Sequence, residues 1–313
     1  CQIELRHALQ PAHGTTQVVA GNARDIGVAE STIEKVLAVA NEMGYVPNAA
    51  AQTLKGKPSN TIGVVVYDFQ DPFFGSTIEC LQSVAHEHNY SLVLAGFQGR
   101  HPEASDLVPL HKHVIDGLLV MGSGDRSDWL QGFDRMPIVR VGHGVEGENS
   151  VRVSVDEADA ARQLLEHLAS RGISEFTFIG SDQFNHDIRY RALEQAGGSM
   201  GMYGTRVAVP EQGFAAGFQA TNQILAAATR SSALVCATDM IAMGSLHALH
   251  DAGLRWAVTG FDDIPAAAQF LPSITTIRQP VKEMISRAFS AVIEPVSPVE
   301  ILMKGELIVR SST

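Results

Sequence analysis

The chain is 313 residues long, enough for two domains, with 45% apolar and only 18% charged residues. That composition excludes a disordered charged tail and supports sizeable cores. A net charge of −11 excludes a nonspecific nucleic-acid binder. No run of about 18 apolar residues offers a transmembrane helix, so no membrane partner is expected. The 3 cysteines are too few and too odd for a disulfide framework, which points to a reducing cytoplasm.

Charge is unevenly placed. Residues 1–60 are neutral, with Arg6, Arg24, Lys35, Lys55 and Lys57 set against Glu4, Asp25, Glu30, Glu34 and Glu42. The acidity therefore lies in residues 61–313, and a neutral head on an acidic body hints at a separate partner for the head. The sequence opens on Cys1 with no intact signal-peptide pattern. A processed lipoprotein and a truncated chain both fit that start.

The first strong element is STIEKVLAVANEMGY, residues 31–45, with Ile33, Val36, Leu37, Ala40 and Met43 at helical spacing. Gly44 ends it and Pro47 prevents its continuation. An Ala-rich stretch from Asn48 to about Lys55 is a short helix candidate, broken by Gly56 and Pro58. From Thr61 the pattern changes to buried strands alternating with helices. TIGVVVYD is a strand, followed by a helix over 75–89, the strand SLVLAGF and a helix over about 103–114. The strands DGLLVMGS, PIVRVGHG and SVRVSVD complete a first α/β set. A second set follows: a helix from Asp156, strand EFTFIGS, helix 187–196, strand TRVAVP and helix 212–229. Strand SALVCATD, helix MIAMGSLHALHDAG and strand WAVTGFDD end it. Such alternation predicts parallel sheets, and its repetition predicts two similar lobes with a cleft between them.

Enzyme chemistry finds no support. There is no G-x-S-x-G elbow and no Walker loop. The pairs His86 and His88, His111 and His113, and His247 and His250 lack a third ligand, so no metal is expected. Cys80 and Cys236 read as small core residues. Neither catalytic residues nor a cofactor are assigned.

The stretch VAESTIEKVLAVANEMGYVPNAAAQTLKGKPSNTIGVVV resembles the last headpiece helix, hinge helix and first core strand of the lactose-repressor (LacI) family. DPFF, VIDGLLV, CATDMIAMGSLHAL, GFDDIP, SITTIRQPV and the terminal ELIVRSST resemble the family's core signatures, in the family's order. The resemblance implies a helix-turn-helix headpiece at 1–46, a hinge at 47–60 and a core resembling periplasmic sugar-binding proteins at 61–313. Lobe 1 is expected over about 61–157 plus 281–295, and lobe 2 over about 158–280 plus 296–313. It further implies a homodimeric repressor of operator double-stranded DNA, controlled by a small sugar-like effector. A sugar-binding protein without DNA binding is the alternative.

By that resemblance, Thr15, Thr16 and Gln17 lie in the recognition helix. Asn48, Ala51, Leu54, Lys55 and Lys57 lie in a hinge that inserts into the minor groove, with Leu54 as the wedge. Asp239 and Asp262 fall at ligand-facing strand ends, and Arg189 or Arg191 where the family clamps its effector. Phe73 and Phe74 fall on the loop that caps the pocket, where core packing is an equal reading, and Asp125 follows the third strand. The sequence also departs from the family. Pro11 sits near the headpiece turn, which lacks the usual small residue, Gly and Val. The stretch after Arg191 lacks a Gly-aromatic pair, and Arg255 runs straight into WAVTGFDD.

Overall fold

The computed structural model describes residues 29, 31–32, 35, 38–39 and 58–313, apart from 98–102, 123–127, 131, 134, 144–149, 182–183, 211 and 228–231. The chain divides into two units, Cys1–Thr61 and Ile62–Thr313. In the first unit, Ser31, Thr32, Lys35, Ala38 and Val39 are helical, within the helix expected over 31–45. The DNA-contact candidates Thr15, Thr16, Gln17, Asn48, Ala51, Leu54, Lys55 and Lys57 lie outside the described residues, as does Asp125.

The second unit begins with β1 (Thr61–Val66), whose apolar run is fully buried after its first residue. Asp71 then caps α1 (Pro72–Glu87), its carboxylate accepting from the Phe73 N–H. Next come β2 (Ser91–Gly96), a 3-10 turn at Ala104–Leu107, α2 (Val108–His111), β3 (Gly117–Met121), β4 (Ile138–Val141) and β5 (Val151–Val155). The single helix expected over 103–114 is thus two short pieces. Pro109 lacks an N–H, and a reciprocal Glu103–Asp106 cap starts the 3-10 turn.

The second lobe opens with α3 (Glu157–Ser170), β6 (Glu175–Ser181), α4 (Phe184–Met200), β7 (Tyr203–Val209) and α5 (Phe214–Ala226). Then follow β8 (Ala233–Cys236), α6 (Asp239–Asp251), β9 (Ala257–Thr259), α7 (Pro265–Gln269) and β10 (Thr276–Arg278). The chain ends with α8 (Val281–Ile293), β11 (Glu300–Met303) and β12 (Glu306–Ile308).

Two sheets result. The first has the order β11-β5-β4-β3-β1-β2, and the second β7-β6-β8-β9. Both are built on parallel pairs, such as Val64 beside Leu119 and Ile179 beside Cys236. Buried apolar side chains fill both faces of the inner strands β1, β3, β6 and β8, as parallel sheets require. α8 returns to the first lobe, where Met284, Ile285, Ala288, Phe289 and Val292 join its core. β11 corrects the expected lobe boundary. Residues 300–303 pair with β5, Ile301 opposite Val153, and Met303 is buried in the first core. They therefore belong to lobe 1 rather than lobe 2. β12 pairs with β10, and Ile277 and Leu307 pack on the second core. The chain thus passes between the lobes at residues 155–157, 278–281 and 303–306.

Within the second lobe α5 and α6 touch backbone to backbone. A Cβ on Gly217 would lie 2.0 Å from the Ile241 carbonyl oxygen, so only glycine permits this approach. Strand β9 is shorter than the run WAVTGFDD suggests, because Asp262 and Asp263 take positive φ angles of 109° and 55°.

Candidate functional site

The first crossing between the lobes sets up the site. Asp156 caps α3, accepting from the Asp159 N–H at 2.9 Å, which places Glu157 at the first helical position. There the helix dipole favours a carboxylate. Glu157 is buried and meets Arg189 of α4. The Arg189 Nε donates to Oε2 at 2.9 Å and Nη2 to Oε1 at 2.7 Å. The remaining Nη1 donates to the Ala237 carbonyl, and the guanidinium lies 3.3 Å from the centre of the Phe261 ring. Burial alone would raise the Glu157 pKa. The charge of Arg189, joined by His143, outweighs that and holds it at about 2. His143, which follows β4 in the first lobe, stands 3.5 Å from Oε1. Only about 10 Å³ of free space remains beside this pair, room for about one water.

Arg189 is therefore where a clamp belongs, yet every nitrogen it has is engaged inside the protein. Arg191 is not a clamp either. Its side chain is 75% exposed and pairs with Asp187 one turn back at 2.8 Å, so it decorates the outer face of α4.

Asp262 is half-buried beyond the end of β9. It accepts from Gln279 Nε2 at 2.7 Å. Burial raises its pKa well above its ordinary 3.8, and the charges of Asp71 and Asp239 raise it further, against the opposing pull of Arg189 and Gln279. Asp71 comes from the first lobe and Asp262 from the second, so the two carboxylates approach across the lobe junction. Asp71 is itself raised, by burial first and then by Asp68, against the Phe73 N–H. Phe73 packs against the cores of both lobes. Phe74 turns inward and is buried in the first core, meeting Phe73 edge-on at 5.5 Å.

Asp239 does not face the cleft. It is fully buried, accepting from Thr276 Oγ1 at 2.6 Å and from the Ile264 N–H at 2.9 Å. Burial pushes its pKa to about 7 in spite of both donors. Its role is to tie α6 to the segments after β9.

The structure adds residues that the sequence reading missed. His186 is buried, with Nδ1 accepting from the Ser181 N–H at 3.0 Å and lying 2.8 Å from its hydroxyl. Burial, helped by Arg189 and Arg206, drives its pKa down to about 3, so the ring is neutral. The Asn185 Oδ1 is buried with no hydrogen-bond donor among the described residues. A buried arginine demands a carboxylate, and that rule could have flagged Glu157. Nothing in the local sequence marks His143 or His186.

Asp71, Phe73, His143, Asn185, Asp262 and Gln279 thus gather where the two lobes meet, at the carboxyl ends of parallel strands, the customary ligand position of open α/β sheets. Their chemistry is that of carboxyl, amide and imidazole groups beside an aromatic face, suited to hydroxyl groups on a carbon ring.

Two such lobes joined by repeated crossings define a protein of periplasmic-binding type, and residues 165–313 match the family model described as a periplasmic binding protein-like domain. The chain is 28% identical over 308 residues to the HTH-type transcriptional regulator RegA of Clostridium saccharobutylicum, covering 91% of each. It superposes on a LacI-type transcription regulator from Bifidobacterium animalis with a TM-score of 0.72 and 23% identity, covering 80% of this chain and 99% of that one. It superposes on the transcriptional regulator CelR, solved as a cellobiose complex, with a TM-score of 0.71 and 22% identity, covering 97% and 100%. The lactose-repressor resemblance is borne out: the chain is similar in sequence to HTH-type transcriptional regulators and shares its core fold with LacI-type regulators. Its relatives are regulators, not enzymes. Among the described residues no helix is long and apolar enough to cross a membrane.

Proposed function

We propose that the protein is a DNA-binding transcription regulator, acting as a homodimeric repressor, whose operator affinity is set by a sugar-like molecule held between its lobes. The observation that carries this reading is the RegA match over 91% of both chains, a larger share than residues 61–313 alone could supply. A receptor core alone would match only beyond residue 60. Asp262, Asp71 and Asn185 would accept from ligand hydroxyls, and Phe73 would cover the ring carbons. The effector would couple to DNA through differential affinity for two arrangements of the lobes. In the head, Thr15, Thr16 and Gln17 would read base edges. Asn48, Ala51, Lys55 and Lys57 would track the minor groove and its phosphates, and Leu54 would unstack a base step.

The test is Leu54→Ala in a binding assay at fixed salt, since phosphate contacts make affinity steeply salt-dependent. Specific binding should fall about tenfold or more while nonspecific binding stays nearly unchanged. Equal loss of both contradicts the wedge.

A further inference from the structure

We propose that the base of the second lobe holds a second small-molecule site, one that takes a small organic anion with an apolar body, such as an aromatic carboxylate. A cavity of about 530 Å³ opens there, within the range of small-ligand pockets. It lies at the carboxyl end of α6, the opposite end from Asp239. A helix of 13 residues puts it about 18 Å from the lobe junction.

The cavity follows from the short connection into β9. Gly253, at φ 68°, closes α6, and only Leu254, Arg255 and Trp256 separate it from Ala257. Leu249, Leu254, Trp256 and Pro272 give apolar and aromatic walls, with His250 and Arg255 beside them.

The charge of this site is what selects its ligand. Arg255 and His250 are exposed and make no ion pair among the described residues. The neighbouring acid, Asp251, is 3.8 Å from His247, one turn back on the same helix. The helix end does not cancel the cation. The Gly253 N–H caps the His250 carbonyl at 2.9 Å, and the Leu254 N–H caps that of Leu249 at 2.9 Å. A planar apolar body against Trp256 with a carboxylate on the guanidinium satisfies both features.

The reporter is built in. The chain has 2 tryptophans. Trp129 is 3% exposed in the first lobe, so a change in fluorescence on binding at this cavity comes from Trp256. The full chain is titrated with phenylacetate, 2-phenylethanol and 2-phenylethylamine, which share a phenyl body and differ in charge. Phenylacetate should change the emission saturably, at least about tenfold more tightly than the alcohol or amine. Trp256→Phe should abolish the signal. Arg255→Gln should weaken phenylacetate about tenfold with an unchanged melting temperature, because Arg255 is exposed and makes no ion pair among the described residues. Asp262→Asn should leave the titration unchanged, which separates this site from the lobe junction. No saturation up to about 10 mM overturns the proposal. So do equal affinities for the three probes, or indifference to Arg255→Gln. Arg255-dependent self-association in sedimentation without an emission change also overturns it, by giving the cavity to a second copy.

Discussion

The two ends of the second lobe treat charge in opposite ways. At the lobe junction Arg189, Glu157, Asp239 and His186 are buried, and each is answered by a neighbour within hydrogen-bonding distance. At the base, Arg255 and His250 stand beside an open cavity with no ion pair among the described residues. Charges of the first kind hold the protein together, because a buried ion left alone costs several kcal/mol. Charges of the second kind contribute little to folding and are free to be used. Proximity to a cleft therefore does not make a side chain a ligand contact. Its donors must also be unspent.

The largest effect that would break this comparison is at the junction. Arg189→Ala leaves Glu157 buried without its cation and should cost about 3–5 kcal/mol in denaturant unfolding. A loss below about 1 kcal/mol would mean the pair is not a structural unit.

Gly217→Ala probes the helix pair that joins the two ends. Its Cβ would strike the Ile241 carbonyl, so α5 and α6 must part, at about 1–3 kcal/mol. Unchanged stability would show that the close approach is not maintained.

Acid titration sharpens the picture further. His186 sits at about 3 against an ordinary 6.5, so the unfolded chain takes up a proton that the fold refuses. Its contribution is full above pH 6.5 and is lost as pH falls toward 3, by up to about 1.4 kcal/mol per pH unit. Glu157 adds to the loss below its ordinary 4.5, down to about 2. Asp239 acts the other way, since a carboxyl raised from 3.8 to about 7 favours the fold as pH drops through that window. His186→Asn, which keeps an acceptor for Ser181, should therefore flatten the acid side of the stability profile relative to the parent. An unaltered slope would place the proton elsewhere.

The smallest effects belong to the exposed cations. Arg191→Ala and Arg255→Gln should each change stability by less than about 0.5 kcal/mol, whatever Arg255→Gln does to binding.

Much of the architecture was legible because parallel strands buried on both faces write themselves as apolar runs. TIGVVVYD, DGLLVMGS and EFTFIGS are such runs, and each became a strand. What failed were features decided by tertiary partners. Residues 300–303 carry only a brief apolar pattern, and it is pairing with β5 that assigns them to the first lobe. Arg189 and Arg191 are two positions apart on one helix, so about 200° of rotation separates them and only one can face inward. Spacing states that alternative without resolving it. The partner that resolves it, Glu157, is 32 residues away. Asp239 and Asp262 likewise both follow strands, and only the donors Thr276, Ile264 and Gln279 show which one is enclosed.

The most direct test of the account as a regulator is a random-library DNA selection on the full chain at one stated salt, with a chain lacking residues 1–60 in parallel. The account predicts a palindromic site recovered by the full chain alone, with enrichment that shifts when a ligand of the lobe junction is added. No enrichment by the full chain, or the same enrichment by both, would contradict it.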